Sequence, residues 1–364
     1  MELVGAFKRQ MKIAFFVQGD FNLGAAYVIA YLKSVGHKVK LFFEFSQRLK
    51  FERNPLKEFN PDLVAFSCVT ANKGWALESA KNIRDNFSMA ILFGGVHPTL
   101  CPEDFKGYNV CQGDGIAYFG GKFDPDNLWP DREIFFEQLP PVHRAYQIFM
   151  TGFGCPFRCS YCNNHQLHPK IIRRNPQNCI GELLYLKSRG LRYVLFDDDI
   201  FTINNNWLLS FLSDYKRRVN LPFTCFGHAK YIDDKIANLL KESGCECVWL
   251  GVQSGVEETR HKILNRPETN EEIRNACQFI KRNKLKLMID HIFGLPLDNY
   301  DKLLISYNFY KELKPDVVNC YELLYFPKAA INKYGQSQAM YQRQGGRDYQ
   351  RYAKSFTSLS LLVN

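Results

Sequence analysis

Three cysteines stand in one short stretch, Gly154-Cys155-Pro156-Phe157-Arg158-Cys159-Ser160-Tyr161-Cys162, at spacings of four and three. Thiolates are soft ligands that select iron–sulfur clusters, zinc or copper(I). A cubane cluster has about four irons, usually held by four cysteines. Three cysteines leave one iron without a protein ligand and open to a small molecule. A structural zinc site wants a fourth ligand close by, and His165 or His168 can supply one. On spacing alone both chemistries stay open. Phe153 and two glycines precede the first cysteine, as expected where backbone wraps closely around an inorganic core. Tyr161 puts an aromatic ring next to the third cysteine, where it can pack over a bound adenine.

The elements around this loop must position it. Gln147–Thr151 reads as a strand that runs straight into the loop. Strands follow at 192–196, 222–226, 247–252, 286–293 and 317–323. Helical spacing alternates with them at 179–188, 205–217, 232–243, 270–282 and 300–313, with Thr269 placed as a cap. Six βα units predict a partial, open barrel with its site at the carboxyl ends of the strands. Those ends carry polar residues: Asp197-Asp198-Asp199, then His228, then Gln253-Ser254, then Gly294-Leu295-Pro296 with Asp298 just beyond. A row of three acids also suits a divalent metal. Tyr321 and Glu322, at the sixth strand's end, are the candidates to face a substrate and act in catalysis.

The first third alternates in the same way. Strands read at 12–17, 39–45, 63–67, 90–93 and 109–111, with helices at 25–34 and 73–86. This predicts a doubly wound parallel sheet, which binds ligands outside its strands' carboxyl ends. Those ends hold Gly19–Gly24, Ser67-Cys68-Val69-Thr70 and Gly94-Gly95-Val96-His97. Residues 121–145 are rich in Pro, Asp, Gly and Phe and read as a linker, with Trp129, Phe135 and Phe136 as interdomain packing.

The cysteine loop fits the signature C-x3-C-x-aromatic-C, and with the βα repeat that follows it resembles the radical S-adenosylmethionine (SAM) superfamily. Gly24, Ser67-x-Val69 and Gly94-Gly95 stand in the order seen in the cobalamin-binding domain fused to many such enzymes, the class B methyltransferases among them. The resemblance implies a flavodoxin-like cobalamin-binding domain at 11–120, a linker at 121–145, a partial (β/α)6 radical SAM barrel at 146–327 and a short extension at 328–364. It implies that Cys155, Cys159 and Cys162 hold a 4Fe–4S cluster. SAM is then contacted by Tyr161, Asp198, Asp199, His228, Gln253, Ser254 and Gly294. Cobalamin is contacted by Gly24, Ser67, Val69, Gly94, Gly95 and His97. The mutase-type cobalamin motif has a histidine in its first loop, and Gly19–Gly24 has none. Cobalamin therefore lacks a lower cobalt ligand from that loop.

The activity implied is cleavage of SAM to a 5′-deoxyadenosyl radical, hydrogen abstraction from an unactivated carbon, and methyl transfer from methylcobalamin. A cyclase, rearranging or oxidative enzyme on the same fold is the alternative, as is an N-terminal domain that only docks. The partners implied are a small-molecule or lipid substrate and an electron donor such as flavodoxin or ferredoxin.

The 364 residues suffice for two domains. A net charge of +10 is modest at this size and does not point to nucleic acid. No apolar run is long enough for a membrane span. Lys8, Arg9 and Lys12 precede only a short apolar run, Ile13–Val17, so no signal peptide is expected. Twelve cysteines scattered through apolar segments are not a disulfide framework, and reduced thiols in a cytoplasmic protein are the natural reading. The tail after residue 327 is richer in Gln, Arg and Tyr and reads as a docked terminal helix.

Overall fold

A computed structural model describes residues 9–44, 53–168 and 170–335. The chain divides into two units between His143 and Arg144. Residues 336–364, which hold most of the expected extension, lie outside the described part.

The first unit is a five-stranded sheet of β1 (Lys12–Gln18), β2 (Lys38–Glu44), β3 (Leu63–Ser67), β4 (Ala90–Gly94) and β5 (Asn109–Val110). Their order is β2-β1-β3-β4-β5, and every pair is parallel. The strands are near-continuous apolar runs because both faces are covered. One face packs Ile13, Phe15 and Val17 against the helix Leu23–Ser34; the other packs Phe16, Phe66 and Phe93 with Ala76 and Ala80 of the helix Lys73–Asn86. Chain direction across the sheet reverses between β1 and β3, which is where such sheets open a crevice.

The expected linker is part of this unit. Phe135, Phe136, Ile134 and Leu139 are buried in its core. Phe135 meets Phe21 and Phe43 edge to face, at 5.2 and 5.6 Å between ring centres. The segment has no period because it is a wrap of short turns, yet it buries Phe135 and Phe136. Phe135 and Phe136 are thus intradomain core, not the interdomain packing their Pro-rich setting suggested.

The second unit holds a six-stranded parallel sheet: β6 (Tyr146–Phe149), β9 (Tyr193–Phe196), β10 (Phe223–Gly227), β11 (Cys245–Gln253), β12 (Lys286–Phe293) and β13 (Val317–Glu322). The strands lie in chain order, β13-β12-β11-β10-β9-β6, and the two ends do not pair. This is the partial barrel expected. Val194, Phe196, Cys225, Val248, Leu250, Leu287 and Ile289 point to the helices and form one large core. By the period of two, Asp197, Thr224, Phe226, Trp249, Asp290 and Asn319 take the opposite, concave face.

The helix Asn270–Arg282 begins after Thr269, the cap the sequence predicts, which forms a capping box with Glu272. Two short strands were not expected: β7 (Gly152–Phe153) and β8 (Ile172–Arg173) pair antiparallel and pinch the cysteine loop at its base. No described helix is long and apolar enough to cross a membrane.

Candidate active site

The β7–β8 ribbon explains the glycines before the first cysteine. Gly154 takes φ +89, and a Cβ there would strike the Lys170 carbonyl; a Cβ on Gly152 would come within 2.7 Å of the Ile172 carbonyl. Both glycines serve backbone packed on backbone inside the loop. Approach to an inorganic core is not what requires them.

Beyond the ribbon the loop is clamped by the turn at 263–266. Ser160 donates from its amide to Leu264 O at 2.8 Å and from its hydroxyl to Ile263 O at 2.6 Å. Asn265 Nδ2 donates to Arg158 O at 2.7 Å. Phe157, between the first two cysteines, stacks on His228 with ring centres 4.2 Å apart.

The three thiols share an electrostatic neighbourhood. Burial pushes the Cys155 thiol up to about 11, and Asp199, Cys159 and Cys162 add to the rise. Donors are aimed at the sulfurs. Asn164 N lies 3.4 Å from Cys162 Sγ. Arg266 Nη1 lies 3.8 Å from Cys159 Sγ and donates to the Tyr161 hydroxyl at 3.0 Å. Nη2 of the same guanidinium reaches Gly251 O and Glu268.

Thiols that are costly to ionise alone, yet ringed by donors and one guanidinium, suit a cationic metal group that holds them as thiolates. Among the described residues, no three His, Cys, Asp or Glu side chains converge on a point as a single ion requires. The donor set fits the cluster, with Cys155, Cys159 and Cys162 as its holders.

The acid row divides three ways. Asp198 is buried and fully engaged: it accepts from Thr151 N at 3.1 Å, Thr151 Oγ1 at 2.8 Å and Arg173 Nη1 at 2.9 Å. Asp199 accepts from Asn164 Nδ2, beside the cysteines. Asp197 lies on the concave side, and no described residue bonds its carboxylate. Burial, helped by the charges of Asp198 and Asp199, pushes it up to about 6. The acid open to a ligand is thus Asp197, and Asp198 is a brace.

His228 is also engaged. Its Nε2 lies 3.0 Å from Glu268 Oε1 and its Nδ1 accepts from Lys230 N at 3.3 Å. Gln253 sits at φ +69, and its carboxamide takes no hydrogen bond from the described residues. Ser254 Oγ accepts from Val256 N at 3.2 Å within its own turn. Gly294 takes φ +81 in the turn after β12. Tyr321 and Glu322 are exposed at the end of β13.

Arg266 and Glu268 complete this arrangement, and sequence reasoning missed both. They fall in an aperiodic stretch between β11 and the following helix, and Arg266 stands 107 residues from the cysteine it contacts. Against burial, hydrogen bonding with His228 and the charge of Arg266 prevail and hold the Glu268 carboxyl down at about 2.

In the first unit, Asn22 caps the helix Leu23–Ser34 and its Nδ2 donates to Ser67 Oγ at 3.3 Å, bridging the two loops at the β1/β3 crevice. Gly24 lies inside that helix's first turn. Val69 is exposed at the rim. Gly95 takes φ +103, and a Cβ there would meet Cys68 O at 2.7 Å. A Cβ on Gly94 would make only ordinary contacts, with Cys111 Cβ at 3.6 Å and Phe66 O at 4.0 Å. His97 is buried, with Nδ1 3.0 Å from Thr70 Oγ1 and Nε2 2.9 Å from Asp104 Oδ2. Both of its nitrogens face protein partners, and as it stands neither is offered to cobalt.

Comparison with known proteins matches residues 149–309 to the Radical SAM superfamily and residues 19–120 to the B12 binding domain. An uncharacterised methyltransferase of Pyrococcus horikoshii is 24% identical over 81% of this chain and 74% of its own length. The anaerobic magnesium-protoporphyrin IX monomethyl ester cyclase of Rubrivivax gelatinosus is 23% identical over 81% of this chain, which spans 62% of it.

Among solved structures, the radical SAM methyltransferase TsrM of Kitasatospora setae, with cobalamin and a [4Fe-4S] cluster bound, superposes at a TM-score of 0.71. It is 14% identical, over 89% of this chain and 74% of that one. The cobalamin-dependent SAM radical enzyme OxsB superposes at 0.68 with 16% identity, over 97% of this chain and 57% of that one. At such identities the likeness is one of fold. The cofactors implied by the two domain families are a 4Fe–4S cluster, SAM and cobalamin. The chain thus carries a Radical SAM domain, with a B12-binding domain before it in the sequence.

Proposed function

We propose that this protein is a cobalamin-dependent radical SAM C-methyltransferase. The observation that carries the reading is a donor-lined three-cysteine loop, at the end of an open six-stranded barrel, in one chain with a B12-binding domain. When bound, the cluster and SAM supply a carbon-abstracting radical and the cobalamin supplies a methyl group.

The chain's own residues hold and orient. Cys155, Cys159 and Cys162 would hold the cluster as thiolates and leave it open to SAM. Arg266 lends positive charge to Cys159, and Glu268 with His228 fixes that guanidinium. Tyr161 is held by the hydrogen bond from Arg266, which keeps it next to the cysteines that would hold the cluster. Asp197 accepts from the SAM amino group, and Gln253, with its carboxamide unengaged, from the ribose or carboxylate side. The B12-binding unit takes the cobalamin tail at its β1/β3 crevice, beside Ser67 and Asn22.

The relatives favour methyl transfer, since the first compared is a methyltransferase. A cyclase among them keeps ring closure as the second reading. The test is anaerobic reconstitution followed by incubation with hydroxocobalamin, reductant and SAM. Methylcobalamin should accumulate; cobalamin that binds but is never methylated would favour the cyclase reading.

A further inference from the structure

The concave face of the barrel carries a polar group that the cluster and SAM leave unused. On β12, Leu287 and Ile289 face the helices, so Asp290 faces inward. Register places it opposite Gly251 on one side and Asn319 on the other. Its Oδ1 accepts from Trp249 Nε1 at 2.5 Å and from Asn319 Nδ2 at 3.4 Å. No donor among the described residues reaches Oδ2, and none of their cations forms an ion pair with the carboxylate; the Arg266 charge acts on it only from a distance.

A carboxylate is an odd choice if its task were only to satisfy one indole N–H. A neutral amide oxygen would do that at far smaller desolvation cost. Two neutral donors on a single oxygen fix the group's orientation and leave the second oxygen to something else. Burial raises the Asp290 carboxyl above its usual range despite those two donors, so a further donor on Oδ2 relieves a standing cost. The walls beside it are apolar: Phe226 stacks on Trp249 with ring centres 4.8 Å apart, and Met288 and Ile292 flank Asp290 on its own strand.

We infer that Asp290, oriented by Trp249 and Asn319, is a specificity-determining residue that binds an N–H or O–H donor on a largely apolar or aromatic substrate and rejects an anionic group at that place. An ionised carboxylate accepts only, and it meets a second anion in a low-dielectric site with repulsion. This rests on the radical SAM reading proposed above, and it adds that the substrate sits on the barrel's concave face. It does not depend on whether the reaction ends in methyl transfer.

The test uses three matched probes, benzyl alcohol, benzylamine and benzoate, titrated into the anaerobic, cluster-loaded full chain by ligand-observed NMR. The alcohol and the amine should each bind about tenfold or more tightly than benzoate, as expected of a hydrogen bond to a charged group. Asp290→Asn should shrink that preference below about threefold while leaving SAM affinity unchanged. Trp249→Phe, which removes the shorter of the two orienting bonds, should narrow it as well, and it keeps the test available if Asp290→Asn does not fold. The proposal is overturned if benzoate binds as well as the others, if no probe binds, or if both variants keep the wild-type ordering. Failure of cobalamin methylation would bring down the methyltransferase reading and leave this ordering untouched.

Discussion

Arg266 Nη1 stands 3.8 Å from Cys159 Sγ while Nη2 of the same guanidinium holds the Gly251 carbonyl of β11. One side chain thus ties the cysteine loop to the barrel strand and places a fixed positive charge on one sulfur. Charge near a cluster sulfur sets how easily the cluster accepts an electron. Arg266→Gln should still load about four irons, as a cubane requires, but with a lowered reduction potential. One screened charge at this range is worth about 1–4 kcal/mol. A redox titration followed by electron paramagnetic resonance reads the shift; an unchanged potential would leave Arg266 with a packing role only.

The cysteines themselves are the simpler case. Replacing Cys155, Cys159 and Cys162 together with Ala should abolish iron and sulfide incorporation and SAM cleavage. None of the three belongs to a hydrophobic core cluster, so the melting temperature of the unloaded protein should move little. Stoichiometric zinc without sulfide in the wild type would defeat the cluster assignment.

The acid row makes a paired prediction. Asp198→Ala removes the partner of a buried Arg173 and should cost about 3–5 kcal/mol of stability, the usual penalty for stranding a buried charge. Asp197→Asn strands nothing. It should leave the fold intact and weaken SAM binding by about tenfold, as for one charge-assisted bond. Equilibrium dialysis with SAM, run beside denaturant melts, separates the two. If Asp198→Ala lowers SAM affinity without lowering stability, the brace and the ligand have been assigned the wrong way round.

Asp197 also gives a pH dependence. Its folded carboxyl is raised to about 6 from an ordinary 3.8, so the folded state holds the proton more tightly than the unfolded state does. Its contribution therefore favours folding least above pH 6, and the penalty disappears as the pH falls below 4. Asp197→Asn should gain stability over the wild type as pH rises from 4 to 6, with a plateau above. A stability difference that is flat across that window would mean that Asp197 titrates normally.

Much of this architecture was legible because its signals are local. The strand Lys286–Phe293 and the helices Lys73–Asn86, Asn270–Arg282 and Tyr300–Leu313 fall at the predicted residues, since apolar runs and caps lie within one window. The cysteine loop was legible because its spacing is the signal. His228 was named from its strand end, but Arg266 and Glu268 were not, because they lie in an aperiodic stretch and meet His228 and Cys159 only through folding. The acid row misled for a related reason. Three adjacent acids look alike in sequence, but strand geometry sends Asp197 and Asp198 to opposite faces, so one is a ligand candidate and the other an ion pair with Arg173. The glycines misled differently: at Gly95 and Gly154 the close neighbour is the chain's own backbone.

That last point changes how cobalamin binding should be tested. Any side chain at Gly95 collides with Cys68 and is strained at φ +103, so loss of cobalamin in a Gly95 variant would report misfolding. Gly94 is the better probe, because a Cβ there makes only ordinary contact with Cys111. Gly94→Ala should keep the melting temperature within a few degrees. If the cofactor's tail runs over this backbone, it should lower hydroxocobalamin uptake severalfold. His97→Ala should do the reverse. It breaks two buried hydrogen bonds, at about 1–3 kcal/mol of stability, and should leave the visible spectrum of bound cobalamin unchanged, since Thr70 and Asp104 already occupy both ring nitrogens. A shifted cobalt spectrum in His97→Ala would mean that the ring turns away from Asp104 to bind the metal. Full uptake in Gly94→Ala would move the tail away from the end of β4 and toward the Asn22–Ser67 bridge, and Ser67→Leu would then be the variant that loses cobalt.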